Sequence, residues 1–294
     1  MQQMFAIASS RGVGAAGTKP TVIALHCSGS SGRQWNKLAS VLDDRCTLIA
    51  PDHIGCGSTQ PWSGNHRFCL ADEAARILDI VDAQDGPVHL VGHSYGGGVA
   101  LRVARERPAC IASLSLYEPT AFHVLRSMDS DGRAALEQIL SVASGVSRDV
   151  TAGDYQSAAR RFVDYWNGEG TWTGMTPESR TELVRYIPKA PLEFSALVEE
   201  PAPLAAFRRM AFPVLLMRGA LAPEPTALIV QKLFSIICDA VIEEIANAGH
   251  MGPFSHAERV SDMIAAHVLR AASLDRLADR ETSASGPASG AHSH

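Results

Sequence analysis

The sequence predicts an α/β fold in which a parallel sheet is covered by helices on both faces and interrupted once by a long helical insertion. Three observations carry that reading. Short apolar runs alternate with segments of helical periodicity toward both ends of the chain, the pattern of parallel strands joined by crossover helices. Between Thr120 and about Arg209 the alternation stops and only helical patterns remain. In the middle, the apolar run Val88 to Val91 meets Gly92-His93-Ser94-Tyr95-Gly96 and then the helical segment Val99 to Arg107.

The elements follow in order. The first twenty residues are weakly patterned, with Phe5 to Ala8 reading as a short strand before a glycine-containing link. Thr21 to Cys27 is an apolar strand running into the small-residue loop His26-Cys27-Ser28-Gly29-Ser30-Ser31-Gly32. Gln34 to Leu42 reads as a helix, Cys46 to Ala50 as a strand, and Cys69 to Ala83 as a helix with apolar residues on one face. Ile111 to Tyr117 is a strand closed by Glu118-Pro119, because proline lacks an N–H to continue a ladder. Leu136 to Val142, Tyr155 to Trp166 and Pro177 to Tyr186 are helices of the insertion, which also carries Tyr165 and Trp172. Pro213 to Arg218 and Ala240 to Ile245 are strands, alternating with helices over Thr226 to Ile236 and His256 to Ala272. This divides the chain into a core of residues 1–119 and 210–273, a helical lid over residues 120–209, and a Ser/Ala/Gly-rich tail over residues 274–294 expected to be disordered.

Composition narrows the functional classes. The 294 residues are 46% hydrophobic, enough for a large core, and the formal net charge of −5 is too mild to suggest a nucleic-acid or membrane-surface partner. The six cysteines form no C-x-x-C pair and no zinc spacing; Cys46, Cys110 and Cys238, at the starts of strands, read as small buried thiols. No signal peptide or membrane-spanning stretch is evident, so a reduced cytoplasmic setting is expected. No metal or cofactor is expected, a small-molecule substrate is, and the oligomeric state is open.

The central stretch carries the chemistry. A serine on a sharp strand-to-helix turn leaves no room for flanking Cβ atoms, which Gly92 and Gly96 remove, and the following helix start offers free N–H groups to an oxyanion. Ser94 then needs a base. His250, between the last strand and the last helix and flanked by Gly249 and Gly252, is the candidate. The base needs a carboxylate to fix its tautomer. Glu118, at the carboxyl end of the strand after the elbow helix, is favoured, with Glu224 between two prolines as the alternative. The oxyanion donors are the backbone N–H groups of Tyr95 and Ser28. Asp52 reads as a brace for Ser58 and its glycine turn rather than as the acid.

Taken together, His26-Cys27-Ser28-Gly29, Asp52-His53-Ile54-Gly55-Cys56-Gly57-Ser58, Gly92-His93-Ser94-Tyr95-Gly96 and Gly249-His250-Met251-Gly252-Pro253 resemble the α/β-hydrolase fold superfamily over about residues 20–272. The resemblance implies an eight-stranded-type, mostly parallel core, a lid inserted after the sixth strand, and a Ser-His-acid triad. Two departures stand out: Cys27 where the family usually has glycine, and Ala222 where the acid after the seventh strand is usual. The haloalkane dehalogenase branch is similar in carrying an acid after the sixth strand, which favours Glu118, but it uses an aspartate nucleophile where this chain has Ser94. The N-terminal strands of the family look compressed here.

The expected function is a serine hydrolase of small carboxylic esters acting through an acyl-enzyme on Ser94, with lid aromatics forming an apolar pocket. The same triad would serve a C–C bond hydrolase, a lactonase or thioesterase, or a cofactor-free perhydrolase, and a non-catalytic ligand receptor is a further alternative. A C–C substrate bearing a carboxylate would call for a buried arginine.

Overall fold

The computed structural model describes residues 19–284 and contains six strands: β1 (Thr21–Leu25), β2 (Thr47–Ile49), β3 (Val88–His93), β4 (Ile111–Tyr117), β5 (Val214–Gly219) and β6 (Ala240–Ile245). All pair in parallel, in the order β2-β1-β3-β4-β5-β6. The order reverses between β1 and β3, and in open sheets of this kind the crevice at the carboxyl ends beside such a reversal is where ligands bind.

Strand residues alternate between the faces, as the pleat requires. Val22, Ala24, Val91, Tyr117, Leu215 and Met217 pack on one side against α1 (Asn36–Leu42) and the final helix, through Leu38, Leu42, Val260, Ile264 and Val268. Ile23, Leu25, Leu90, Leu114, Leu116, Val214 and Leu216 pack on the other against α2 (Leu70–Asp82) and α3 (Tyr95–Glu106). Each buried Val, Leu, Ile or Met side chain among these contributes about 1.5–3 kcal/mol.

The helical insertion follows β4, the fourth strand of the described sheet. It comprises α4 (Ser130–Thr151), α5 (Tyr155–Asn167), α6 (Thr171–Gly174), α7 (Pro177–Tyr186), α8 (Ala190–Val198) and α9 (Leu204–Phe207). Val146, Ala158, Ala159, Val163, Trp172, Tyr186, Ile187 and Ala190 form its own core, while Phe194 and Leu197 of α8 join the main one. The chain closes with α10 (Glu224–Phe234), α11 (Gly252–Ser255) and α12 (Ala257–Ala284).

Several boundaries differ from the sequence reading. Helix α3 starts at Tyr95 rather than Val99, because the glycines 96–98 carry no apolar signal although they are buried. Helix α4 extends well beyond Leu136–Val142, since its buried face is built largely of small residues, Gly132, Ala135 and Gly145 among them. Helix α12 continues to Ala284, past the point near residue 274 where the composition suggested a tail. Cys46 is buried, but Cys238 is exposed and Cys110 half-buried. The expected strand at Phe5 to Ala8 lies outside the described residues. Among the described residues no helix is long and apolar enough to cross a membrane.

Candidate active site

Ser94 sits between β3 and α3 with φ 54° and ψ −118°, a conformation that costs a non-glycine residue on the order of 1–3 kcal/mol. The surroundings over-determine it. The Ser94 N–H donates to the Tyr117 carbonyl at 3.0 Å, and the Ser94 carbonyl accepts from the N–H groups of Gly97, Gly98 and Thr120. A Cβ on Gly92 would stand 2.6 Å from the Gly96 carbonyl oxygen, and one on Gly96 would overlap the Leu25 and His26 carbonyls. The two glycines thus allow strand, turn and helix to close on one another.

His250 is brought opposite by the loop after β6. Its Nε2 lies 2.9 Å from Ser94 Oγ, and its Nδ1 lies 2.8 Å from Glu118 Oε2. A carboxylate can only accept, so Nδ1 carries the hydrogen and Nε2 is left to accept from the serine hydroxyl. The loop is pinned from beneath: Tyr117 Oη donates to the Gly249 carbonyl at 2.7 Å, and His93 Nε2 donates to the His250 carbonyl at 2.8 Å.

Glu118 follows β4 at φ 41° and is fully buried. Its Oε1 accepts from the Gly219 N–H at 2.9 Å, and its Oε2 also accepts from Thr226 Oγ1 at 3.1 Å. The carboxylate therefore leans across from β4 to the end of the adjacent β5 and is held there by both β5 and α10. Glu224, by contrast, is the exposed first residue of α10.

Ser28 and Ser94 face the same cleft of about 1300 Å³. The Cys27 N–H donates to Gln34 Oε1 at 3.0 Å, so it is committed within the loop. Gln34 Nε2 in turn donates to His93 Nδ1 at 3.0 Å, completing a chain from the loop after β1, through the residue preceding the nucleophile, to the backbone of His250. Burial and the neighbouring His250 push His93 well below the ordinary histidine range, which keeps it neutral as this chain needs. Tyr95 begins α3, so its backbone N–H has no partner within the helix.

Behind this wall lies a buried ionic cluster. Lys189 Nζ is 2.9 Å from Glu193 Oε1 and 3.4 Å from Glu73 Oε2, and it stands 5.1 Å from the centre of the Tyr95 ring. Glu193 Oε2 accepts from Ser28 Oγ and Tyr186 Oη, each at 2.5 Å. Glu73 accepts from Tyr95 Oη at 3.0 Å and from the Ile54 N–H at 2.8 Å. Burial alone would raise the Glu73 carboxyl, but His53, Lys189 and the Ile54 N–H overcome it and hold the pKa at about 2. Asp52 accepts from the N–H groups of Gly32 and Ser58, bracing two loops beside the cleft.

The insertion supplies the opposite wall through Phe162, Trp166, Met175 and Tyr186, and Phe254 lies on the core side. Trp166 stacks on His250, with ring centroids 4.4 Å apart and planes at 26°. Among the described residues the arginines lining the cleft are Arg33 and Arg185, both exposed. Among the described residues no group of three or more His, Cys, Asp or Glu side chains could hold a metal ion.

The structure thus brings Ser94, His250 and Glu118 into one hydrogen-bonded row and sets Ser28 and Tyr95 beside it, while Glu224 stands apart. Sequence reasoning missed Gln34, Lys189, Glu193 and the stacking of Trp166. Lys189 and Glu193 do carry a signal, an i,i+4 pair of opposite charge on an otherwise apolar helical stretch.

A model of the alpha/beta hydrolase family matches residues 22–263. The lipase LipV of Mycobacterium tuberculosis is 36% identical over 99 residues, covering 33% of this chain and 36% of that protein. The chain accordingly spans about a third of the length of the first curated relatives it matches. Among solved structures, MenH from S. aureus superposes with a TM-score of 0.69 at 17% identity, covering 87% of this chain and 96% of that one. A thermophilic esterase from Thermogutta terrifontis superposes with a TM-score of 0.64 at 24% identity, covering 87% and 91%.

Proposed function

The chain belongs to the alpha/beta hydrolase family, and on that premise we propose that it hydrolyses small, uncharged carboxylic esters through an acyl-enzyme on Ser94. The observation that carries the proposal is the buried row Ser94 Oγ, His250 Nε2, His250 Nδ1, Glu118 Oε2, with links of 2.9 and 2.8 Å, opening on the cleft.

Ser94 Oγ attacks the ester carbonyl carbon while its proton passes to His250 Nε2. Glu118 holds the Nδ1 hydrogen and offsets the positive charge on the imidazolium. The oxygen of the tetrahedral intermediate lies against the backbone N–H groups of Tyr95 and Ser28, at the start of α3, where the helix dipole adds to their attraction. Collapse expels the alcohol, which takes its proton from His250. Water then enters, gives a proton to the same nitrogen and attacks the acyl carbon, releasing the acid and restoring Ser94.

Residues 120–209 act as the lid in this scheme, with Phe162, Trp166 and Met175 receiving the apolar part of the substrate. The exposure of Arg33 and Arg185 favours an uncharged ester over a C–C substrate that brings its own carboxylate, for which a buried guanidinium would be needed. The name of the Mycobacterium tuberculosis relative, a lipase, agrees with ester chemistry.

The test is hydrolysis of p-nitrophenyl acetate and butyrate by the wild type, Ser94→Ala, Glu118→Gln and Glu224→Gln. Glu118→Gln is expected to lose about 10⁴-fold in kcat, the scale seen when a triad carboxylate becomes an amide, while Glu224→Gln retains wild-type turnover. Crippling by Glu224→Gln alone would move the acid to the loop after β5 and overturn the assignment.

A further inference from the structure

The insertion sets one aromatic face directly on the base. Trp166, near the end of α5, is 6% exposed and rigidly held: Phe122 stacks parallel to it at 6.4 Å, and Tyr165 and Phe162 meet its ring edge-on at 4.8 and 6.4 Å. Its indole covers the His250 ring at 4.4 Å. His250 is otherwise held through its ring nitrogens, its backbone carbonyl and the tilted ring of His93 at 5.3 Å, so the closer, stacked indole is the face that sets the tilt of the ring.

We propose that Trp166 is a positioning residue for His250, seating the imidazole against Ser94 and stabilising the imidazolium through its π face. The proposal rests on the reading of Ser94 and His250 as nucleophile and base. Its physical basis is the quadrupole of the indole, which attracts a cation lying over the ring more strongly than any other side-chain face. The titratable groups around the ring decide what else can help. Glu118 lies on Nδ1. His93, with its centroid 5.3 Å away, is kept neutral by burial and adds no repulsion. Tyr117, donating to the Gly249 carbonyl, and Tyr165, beside Trp166, are both pushed up by burial and stay neutral. Glu118 and the indole face are then the two features that favour the charged imidazole. Because α5 belongs to the insertion, the strength of the base depends on where the insertion sits.

The test is a pH titration of the histidine ring protons by NMR in the wild type, Trp166→Phe and Trp166→Leu, with His250→Gln identifying the resonance. In the wild type the His250 signal is expected upfield, displaced by the indole ring current. In Trp166→Leu the displacement disappears and the midpoint falls by roughly half to one and a half pH unit, the equivalent of a desolvated cation–π contact, with Trp166→Phe in between. A wild-type signal without the displacement, or a midpoint that stays or rises in Trp166→Leu, would overturn the proposal. Should Trp166→Leu fail to fold, Trp166→Phe decides by the same two readouts. A purely structural role would alter thermal stability without ordering the midpoints by ring strength. The acid limb of kcat/KM for p-nitrophenyl acetate is expected to move with the NMR midpoint. Absence of Ser94-dependent turnover in the wild type would defeat the hydrolase reading, and the ring-proton titration would still decide the stack.

Discussion

Replacing Lys189 by methionine keeps the length of the side chain and removes the ammonium shared by two buried carboxylates, those of Glu193 at 2.9 Å and Glu73 at 3.4 Å, leaving Glu73 with His53 at 3.3 Å. All three side chains are at most 10% exposed, so water cannot take over the lost interaction. Breaking a buried ion pair from one side costs about 3–5 kcal/mol, against about 0–1 kcal/mol for an exposed pair. The pH dependence has a definite sign. Glu73 has a carboxyl held at about 2 in the fold against 4.5 ordinarily, so its stabilisation is present in full above about pH 4.5 and is lost as pH falls through about 2. At neutral pH that difference amounts to on the order of 3 kcal/mol, shared between His53, Lys189 and the Ile54 N–H. Urea unfolding followed by far-ultraviolet circular dichroism is the assay. Lys189→Met is expected to lose about 3–5 kcal/mol at pH 7, with the gap to wild type narrowing below about pH 4.5 as Glu73 takes up a proton. Adding Glu193→Gln is expected to recover part of the loss, because it neutralises one of the two buried carboxylates that lose Lys189. A cost under about 1 kcal/mol, or single-variant costs that merely add in the double variant, would refute the reasoning.

Two further outcomes follow from the site. Ser94→Gly relieves the positive φ of the elbow and is expected to melt higher than Ser94→Ala by about 2–4 °C, the equivalent of about 1 kcal/mol; equal melting temperatures would mean that the turn is unstrained. Gln34→Leu strands the Cys27 N–H and His93 Nδ1 and is expected to cost about 1–3 kcal/mol in urea unfolding together with a fall in kcat; unchanged values for both would show that the chain from the oxyanion loop to His250 is dispensable.

Much of the scaffold was legible because most of its strands are short apolar runs, such as Val88 to Val91 and Ile111 to Tyr117, alternating with helical periodicity. Ile111–Tyr117 and Ala240–Ile245 coincide residue for residue with the reading of the sequence. Where the buried face is built of small residues the signal fades, as at the glycines that open α3 and along α4, where tertiary packing rather than local pattern decides the helix. Ser94, Glu118 and His250 were visible because each lies in a loop just past the end of a strand and its chemistry demands a neighbour of known type. Trp166 and the bond from Gln34 to His93 were not, because nothing in their own stretches demands a partner of that kind, and the i,i+4 pair Lys189 and Glu193 shows as a pair without showing its contacts to Glu73 and Ser28. His250 is 84 residues from Trp166, and Ser28 is 165 from Glu193, separations over which composition and periodicity carry no information.

The most direct test of the central claim is to look for the covalent intermediate. Wild-type protein is mixed with p-nitrophenyl butyrate, quenched in acid within the first turnovers, digested and mapped by mass spectrometry. A butyryl group is expected on the peptide carrying Ser94, present in the wild type and absent in Ser94→Ala. Ester turnover that persists in Ser94→Ala, or an acyl group on a different residue, would contradict it.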